Sequence, residues 1–150
     1  MDQIDRKILA ALQENCRRPI AEIAAQVGMS LSACARRITI LEENGIIEGY
    51  GARLSSTKLG YGMTFYVEVS LNSQSDTALE DFERAAQQHS AVLECHLMTG
   101  NADYLIKVAA ADTQDYEATY RKVIASLPNV SRIQSALVMK TVKPWMGYQL

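Results

Sequence analysis

Residues 19–44 read PIAEIAAQVGMSLSACARRITILEEN, and this stretch decides the fold of the first third of the chain. Pro19 suits a first helical turn, where its missing N–H is not needed. Ile20, Ile23, Ala24 and Val27 then recur at helical spacing up to Gly28, a residue free to take the positive φ that ends a helix. Gly28-Met29-Ser30 forms a tight turn, and Ser30 is placed to cap a third helix. Cys34, Ile38 and Leu41 lie at i, i+4 and i+7 and form the buried face of that helix, which stops at Asn44-Gly45. Upstream, Ile4, Ile8, Leu9 and Leu12 mark a first helix over 3–14. A turn of about three residues between the last two helices is helix-turn-helix spacing. Ile46, Ile47 and Tyr50 come next, in an extended, glycine-flanked stretch that reads as a wing or hairpin.

Amphipathic helices alone also describe a three-helix bundle with no partner. The residue types at the third helix favour DNA. Ser30, Ser32 and Ala33 are small and let its N-terminus approach a duplex, where free N–H groups and the helix dipole attract phosphate. Arg36 lies one turn further on, and an arginine fork matches guanine O6 and N7 in the major groove. Arg37 either contacts phosphate or pairs within the domain, with Glu42 or Asp5. Arg17 and Arg18, before the second helix, are candidate phosphate contacts, and Arg53 beyond the wing is another. Residues 1–58 hold eight basic and seven acidic side chains, so the contact face depends on local pairing of arginines rather than bulk charge.

The period changes after Leu54–Gly62, a Ser/Thr/Gly-rich stretch that reads as a linker. Phe65, Val67, Val69 and Leu71 alternate with polar residues, giving a strand over 63–72. Leu79, Phe82 and Ala86 predict a helix over 76–89, and 92–99 reads as a strand. Gly100-Asn101-Ala102-Asp103 is turn-like, and Tyr104, Ile106 and Val108 alternate beyond it. Asp112 caps a helix with core face Tyr116, Tyr120, Val123 and Leu127, ended by Pro128-Asn129. Ile133, Ser135, Leu137, Met139 and Thr141 alternate in a last strand. The expected class is α+β: a winged helix-turn-helix domain over 1–53, a linker over 54–62, a ferredoxin-like βαββαβ domain over 63–143 and a tail over 144–150.

With 150 residues, 48% of them hydrophobic and 21% charged, the chain is expected to be globular. No apolar run reaches the ~18 residues of a membrane span. The N-terminus lacks a secretory pattern, so the expected location is the cytoplasm. Cys16, Cys34 and Cys95 form no CxxC, and neighbouring Cys95 and His96 point to opposite faces of a strand, so no metal site is expected. No nucleophile–base pair, phosphate loop or paired-carboxylate pattern is present; neither catalytic residues nor a cofactor are expected.

Ile4-Asp5-Arg6-Lys7-Ile8-Leu9, Val27-Gly28-Met29-Ser30, Arg37-Ile38, Gly45-Ile46-Ile47, Leu59-Gly60, Thr99-Gly100, Asp103-Tyr104-Leu105 and Leu127-Pro128 occur in this order across nearly the whole chain. In that order and spacing the chain resembles the Lrp/AsnC (leucine-responsive, feast/famine) transcription regulators. The resemblance implies a second domain of the family's RAM type, which binds an amino-acid effector and pairs sheets into homodimers. These assemble into tetramers or octamers on double-stranded DNA, on the nucleoid. It puts Gly100, Asn101, Ala102, Asp103 and Tyr104 on the effector loop and Ser135 on the opposite wall of the pocket. Asp103 then either accepts the effector ammonium or caps its own turn. Ala102 stands where many members carry an aromatic residue, and Gln134-Ser135 departs from a commoner threonine-containing pattern. Two other readings of the same fold are a weakly specific architectural DNA-binding protein and an enzyme like the relatives that decarboxylate sirohaem. For the latter, His89 and His96 are too few to handle a many-carboxylate substrate.

Overall fold

Asp2 starts the first helix from outside it. Its carboxylate accepts the Asp5 N–H while the Asp5 carboxylate accepts the Asp2 N–H, a reciprocal cap that satisfies two otherwise unpaired donors. Helix α1 then runs Gln3–Glu14, α2 Ile20–Val27 and α3 Leu31–Glu43. Gly28 ends α2 at φ 72°, a conformation that a side chain would strain, and its N–H closes the helix on Ala24 and Ala25. Ser30 caps α3 through the Ala33 N–H. Ile8, Ala11, Ile23, Cys34, Ile38 and Leu41 fill the core between the three helices.

The computed structural model describes residues 1–150 as two units, Met1–Arg53 with Val142–Leu150, and Leu54–Thr141. In the second unit, strand β1 (Met63–Leu71), helix α4 (Asp76–Gln88), strands β2 (Glu94–Leu97) and β3 (Tyr104–Ala110), helix α5 (Thr113–Lys122) and strand β4 (Val130–Leu137) give the order βαββαβ. The sheet is antiparallel throughout, with strand order β2-β3-β1-β4. Strand β1 is paired on both sides, Val67 facing Ile106 on β3 and Ser135 on β4. Phe65, Val67 and Val69 join Tyr104, Ile106 and Val108 under Phe82 of α4 and Ile124, in the turn after α5. Tyr66, Glu68 and Ser70 therefore point to the opposite face.

The wing is absent. Residues 44–56 contain no strand, because the Ile46 and Ile47 N–H groups both turn back to the Leu41 carbonyl, and Ile47 packs into the helical core. Tyr50 is held by Glu42 at 2.7 Å instead of by a partner strand. The last strand is also shorter than its alternation suggests. β1 begins at Met63, so after Leu137 only the Val138 N–H finds an acceptor, Thr64, and Met139 and Thr141 are exposed. The helix from Thr113 stops at Lys122, and a tight turn, Ile124–Ser126, carries Ile124 into the core in place of Val123.

Phe82 is fully buried with its ring centroid 4.3 Å from that of Tyr104, whose hydroxyl donates to Glu83 on the same helix at 2.8 Å. Phe82→Ala removes the ring that joins α4 to the sheet. Denaturant unfolding of the variant is expected to lose ~3–5 kcal/mol, read as a lower midpoint.

Candidate DNA-binding and effector sites

Helix α3 buries Cys34, Ile38 and Leu41 and leaves Ser32, Arg36 and Thr39 exposed on the opposite stripe. Arg36 takes part in no ion pair, and its guanidinium is free for a ligand. Ser30 and Ser32 hydroxyls lie 3.3 Å apart at the head of the helix. Ala33 is half-buried and serves as spacing, with its N–H already taken by Ser30. The expected phosphate contacts divide. Arg17 is exposed and unpaired. Arg18 instead bonds Gln26 at 2.7 Å and Glu14 at 3.3 Å, joining the end of α1 to α2. Arg53 bonds the Met146 sulfur at 3.0 Å.

Arg37 resolves to its internal alternative. Its Nη1 lies 2.7 Å from carboxylates of both Asp2 and Asp5, so it ties the start of α1 to the middle of α3. The Asp5 N–H and the Arg37 guanidinium hold the Asp2 carboxyl below its ordinary range, and the two carboxylates push the Arg37 guanidinium up. Glu42, the other candidate partner, bonds Tyr50.

In the second unit the loop 100–103 borders a hollow on the uncovered face of the sheet. The hollow measures 210 Å³ and is lined by Glu68 and Ser70 of β1, Asn101 and Ala102 of the loop, and Arg132 and Gln134 of β4. A second hollow of 250 Å³ shares Glu68, Asn101 and Ala102 and continues along Met98, Thr99, Tyr104 and Leu105. Glu68 faces Gln134, and Ser70 faces Arg132 across the ladder. A carboxylate and a guanidinium thus stand diagonally on one face, not paired with each other; the Arg132 fork bonds Gln134 at 3.1 Å.

Three loop and strand residues sit differently from the expected arrangement. Asp103 caps neither its own turn nor an open site. Its carboxylate accepts the Leu71 N–H at 2.7 Å and the Gln74 amide at 2.8 Å, which pins the end of β1 to the start of β3. Ser135 lies on the helix-covered face, where Tyr116 donates to its hydroxyl. The two-residue period of β4 puts Arg132 and Gln134 toward the hollow and Ser135 away from it. Tyr104 begins β3 with its side chain in the core, 1% exposed, and burial pushes its phenol far up.

The chain matches the AsnC-type helix-turn-helix domain over residues 1–42 and the Lrp/AsnC ligand binding domain over residues 64–147. The chain belongs to the Lrp/AsnC family. It is 39% identical over 142 residues to a proline dehydrogenase transcriptional activator of Rhodobacter capsulatus, covering 95% of this chain and 92% of that one. An AsnC family transcriptional regulator from Agrobacterium tumefaciens superposes with a TM-score of 0.93 at 34% identity, over 99% of this chain and 97% of that one. A Neisseria meningitidis transcriptional regulator, solved as a complex with L-Met, superposes with a TM-score of 0.90 at 33% identity, over 96% of this chain and 93% of that one. Like its Lrp/AsnC relatives, the chain is a helix-turn-helix transcription regulator.

Glu68, Ser70, Arg132 and Gln134 line the first hollow beside Asn101, and of these four the sequence singles out only Gln134, within a departure from the family pattern. The only signal for the other three is the outward half of the β1 and β4 alternation, once the two strands are set side by side. Thr39, three residues after Arg36, is legible from helical spacing alone.

The Asp2–Arg37 clamp sets an acid limit on the helical unit. The Asp2 carboxyl is lowered in the fold, so its contribution is complete above the ordinary aspartate value of about 4 and is lost as the pH falls through the lowered one. Asp2→Asn keeps a good helix cap but removes the charge. Helix circular dichroism through an acid titration is expected to show a shallower loss of thermal stability in this variant than in wild type. Arg37→Ala is expected to lower the melting temperature at neutral pH.

Proposed function

We propose that this regulator reads its operator through Arg36, with phosphate contacts from Arg17 and the Ser30–Ser32 head of α3, and that an amino-acid effector binds in the hollow beside loop 100–103. The observation that carries the DNA part is the contrast between neighbours. Arg37 and Arg18 are consumed by carboxylate and amide partners, whereas Arg36 stays exposed and unpaired on the outer stripe of α3. Arg53 is a weaker contact on this reading, because its guanidinium is engaged by Met146.

The chemistry of the hollow suits an α-amino acid. Its ammonium needs an acceptor, supplied by Glu68, and its carboxylate needs a fork of donors, supplied by Arg132. The side chain extends into the second hollow past Ala102, toward Met98 and Leu105. Gly100, Asn101 and Ala102 frame the entrance, while Asp103 acts from behind by fixing the loop. The L-Met complex of the Neisseria relative supports an amino acid as the effector class, and relatives named as a proline dehydrogenase transcriptional activator and a leucine-responsive regulatory protein support genes of amino-acid metabolism as targets.

No helix covers the outer face of the sheet, where Tyr66 is 38% exposed beside Leu105 and Ala109. On this reading two copies pair through that face, and dimers assemble further into tetramers or octamers, so that recognition helices meet successive turns of DNA. A DNA-binding regulator of this kind works in the cytoplasm, on the nucleoid. No helix of the chain is long and apolar enough to cross a membrane.

Binding-site selection checks Arg36. Arg36→Ala is expected to relax preference at one base position, at ~1–3 kcal/mol, whereas Arg17→Ala weakens all sequences alike and reduces the salt slope by ~1. Unchanged preference in the Arg36 variant removes its role. A thermal-shift screen of the twenty amino acids checks the hollow: a true effector at 100 times its Kd stabilises by ~2.7 kcal/mol. Arg132→Ala and Glu68→Gln should each abolish the shift. A shift that survives both places the effector elsewhere.

A further inference from the structure

The C-terminal segment Val142–Leu150 belongs with Met1–Arg53, although it directly succeeds residues of the other unit. The chain thus leaves the helix-turn-helix unit after Arg53 and re-enters it at Val142. The seat of the segment is well defined. The Gln13 side-chain amide donates to the Tyr148 carbonyl at 2.7 Å and accepts the Tyr148 N–H at 2.8 Å, pairing with the backbone as a neighbouring strand would. Met146 meets Arg53 through its sulfur. Gly147 holds φ 107°, and a Cβ there would overlap the Gln13 side chain. Gln13 could swing away to relieve the overlap, but only by giving up both bonds to Tyr148. Trp145 and Tyr148 remain 69% and 75% exposed, so the amide pair, rather than apolar burial, seats the segment.

We propose that residues 145–148 are a strap. They dock on the end of α1 through Gln13 and tether the recognition unit at a second point, so that it cannot swing about the 54–62 stretch alone. Two tethers leave α3 less orientational freedom than one. A regulator of this design accepts a narrow range of distances between half-sites, set by the helical repeat of ~10–10.5 bp. Tail and α1 meet through one amide side chain, so the strap can be released without disturbing the core: Gln13 is exposed, and alanine is a good helix former.

The test uses the full-length chain, Gln13→Ala and Gly147→Ala. Cys16 is the exposed cysteine and lies in the helical unit, so it takes a maleimide dye for time-resolved anisotropy. Both variants are expected to gain amplitude in a nanosecond segmental component relative to wild type. In binding-site selection from random duplexes all should return the same half-site motif, with the spacing between paired half-sites broadened by several base pairs in the variants. Identical anisotropy decays overturn the strap. So do identical spacing distributions, or a motif altered in the variants, which would make the tail part of the reading surface. The spacing readout rests on the proposed dimer. Single, unpaired half-sites in the wild-type selection would count against that dimer, and the anisotropy then decides the strap.

Discussion

The alternation of β1 is the constraint on which the second unit depends. This strand is paired on both edges over Phe65–Val69, which assigns each of those residues to one of two faces, and its register with β4 shifts only between Ser70 and Leu71. Its apolar half faces Phe82 and Ile124, and with it β3 and β4 are committed as well. The polar half, Tyr66, Glu68 and Ser70, is then obliged to face outward, and the outward residues of β4 stand beside it. The hollow next to loop 100–103 is a product of this commitment. A one-residue slip in β4 would exchange Arg132 and Gln134 for Ile133 and Ser135.

The helical unit works by a different logic. Its core is small, and its charged residues do much of the joining: Arg18 holds α1 to α2, Arg37 holds α1 to α3. Arginines in such a unit carry two kinds of duty that look alike in composition. Those facing a neighbouring helix end are tied by carboxylates. Arg36, on the stripe opposite the core, has no such neighbour. Position on the helix, more than charge, separates structural arginines from those open to a ligand.

Helix boundaries are legible because their signals are local. Asp2, Gly28, Ser30 and Asp112 each act within about one turn of themselves, and the helices begin or end at those residues. The βαββαβ order comes from periods of two and about 3.6. What escapes such reading depends on distant partners. Whether 46–50 forms a hairpin depends on a second strand, and none is there. Whether the alternation through Met139 and Thr141 continues a strand depends on where β1 begins. The bond of Arg37 to Asp5, on another helix, is one of the alternatives that the sequence leaves open, whereas Asp103 reaching Leu71 and Gln74 cannot be foreseen without the β1–β3 register. The face of Ser135 is in principle readable, since Ile133 is apolar and two residues away, and the family resemblance points elsewhere.

Trp145 is the chain's one tryptophan, and it sits in the docked tail with its ring 4.9 Å from Tyr148, edge to face. The protein therefore contains an intrinsic optical probe at the point where the tail meets α1. Its indole is largely solvated, so its emission is long in wavelength from the start, and tyrosine-to-tryptophan energy transfer depends on how the tail is held. Ordinary fluorescence of the unlabelled protein is thus a readout of one contact rather than of the whole fold.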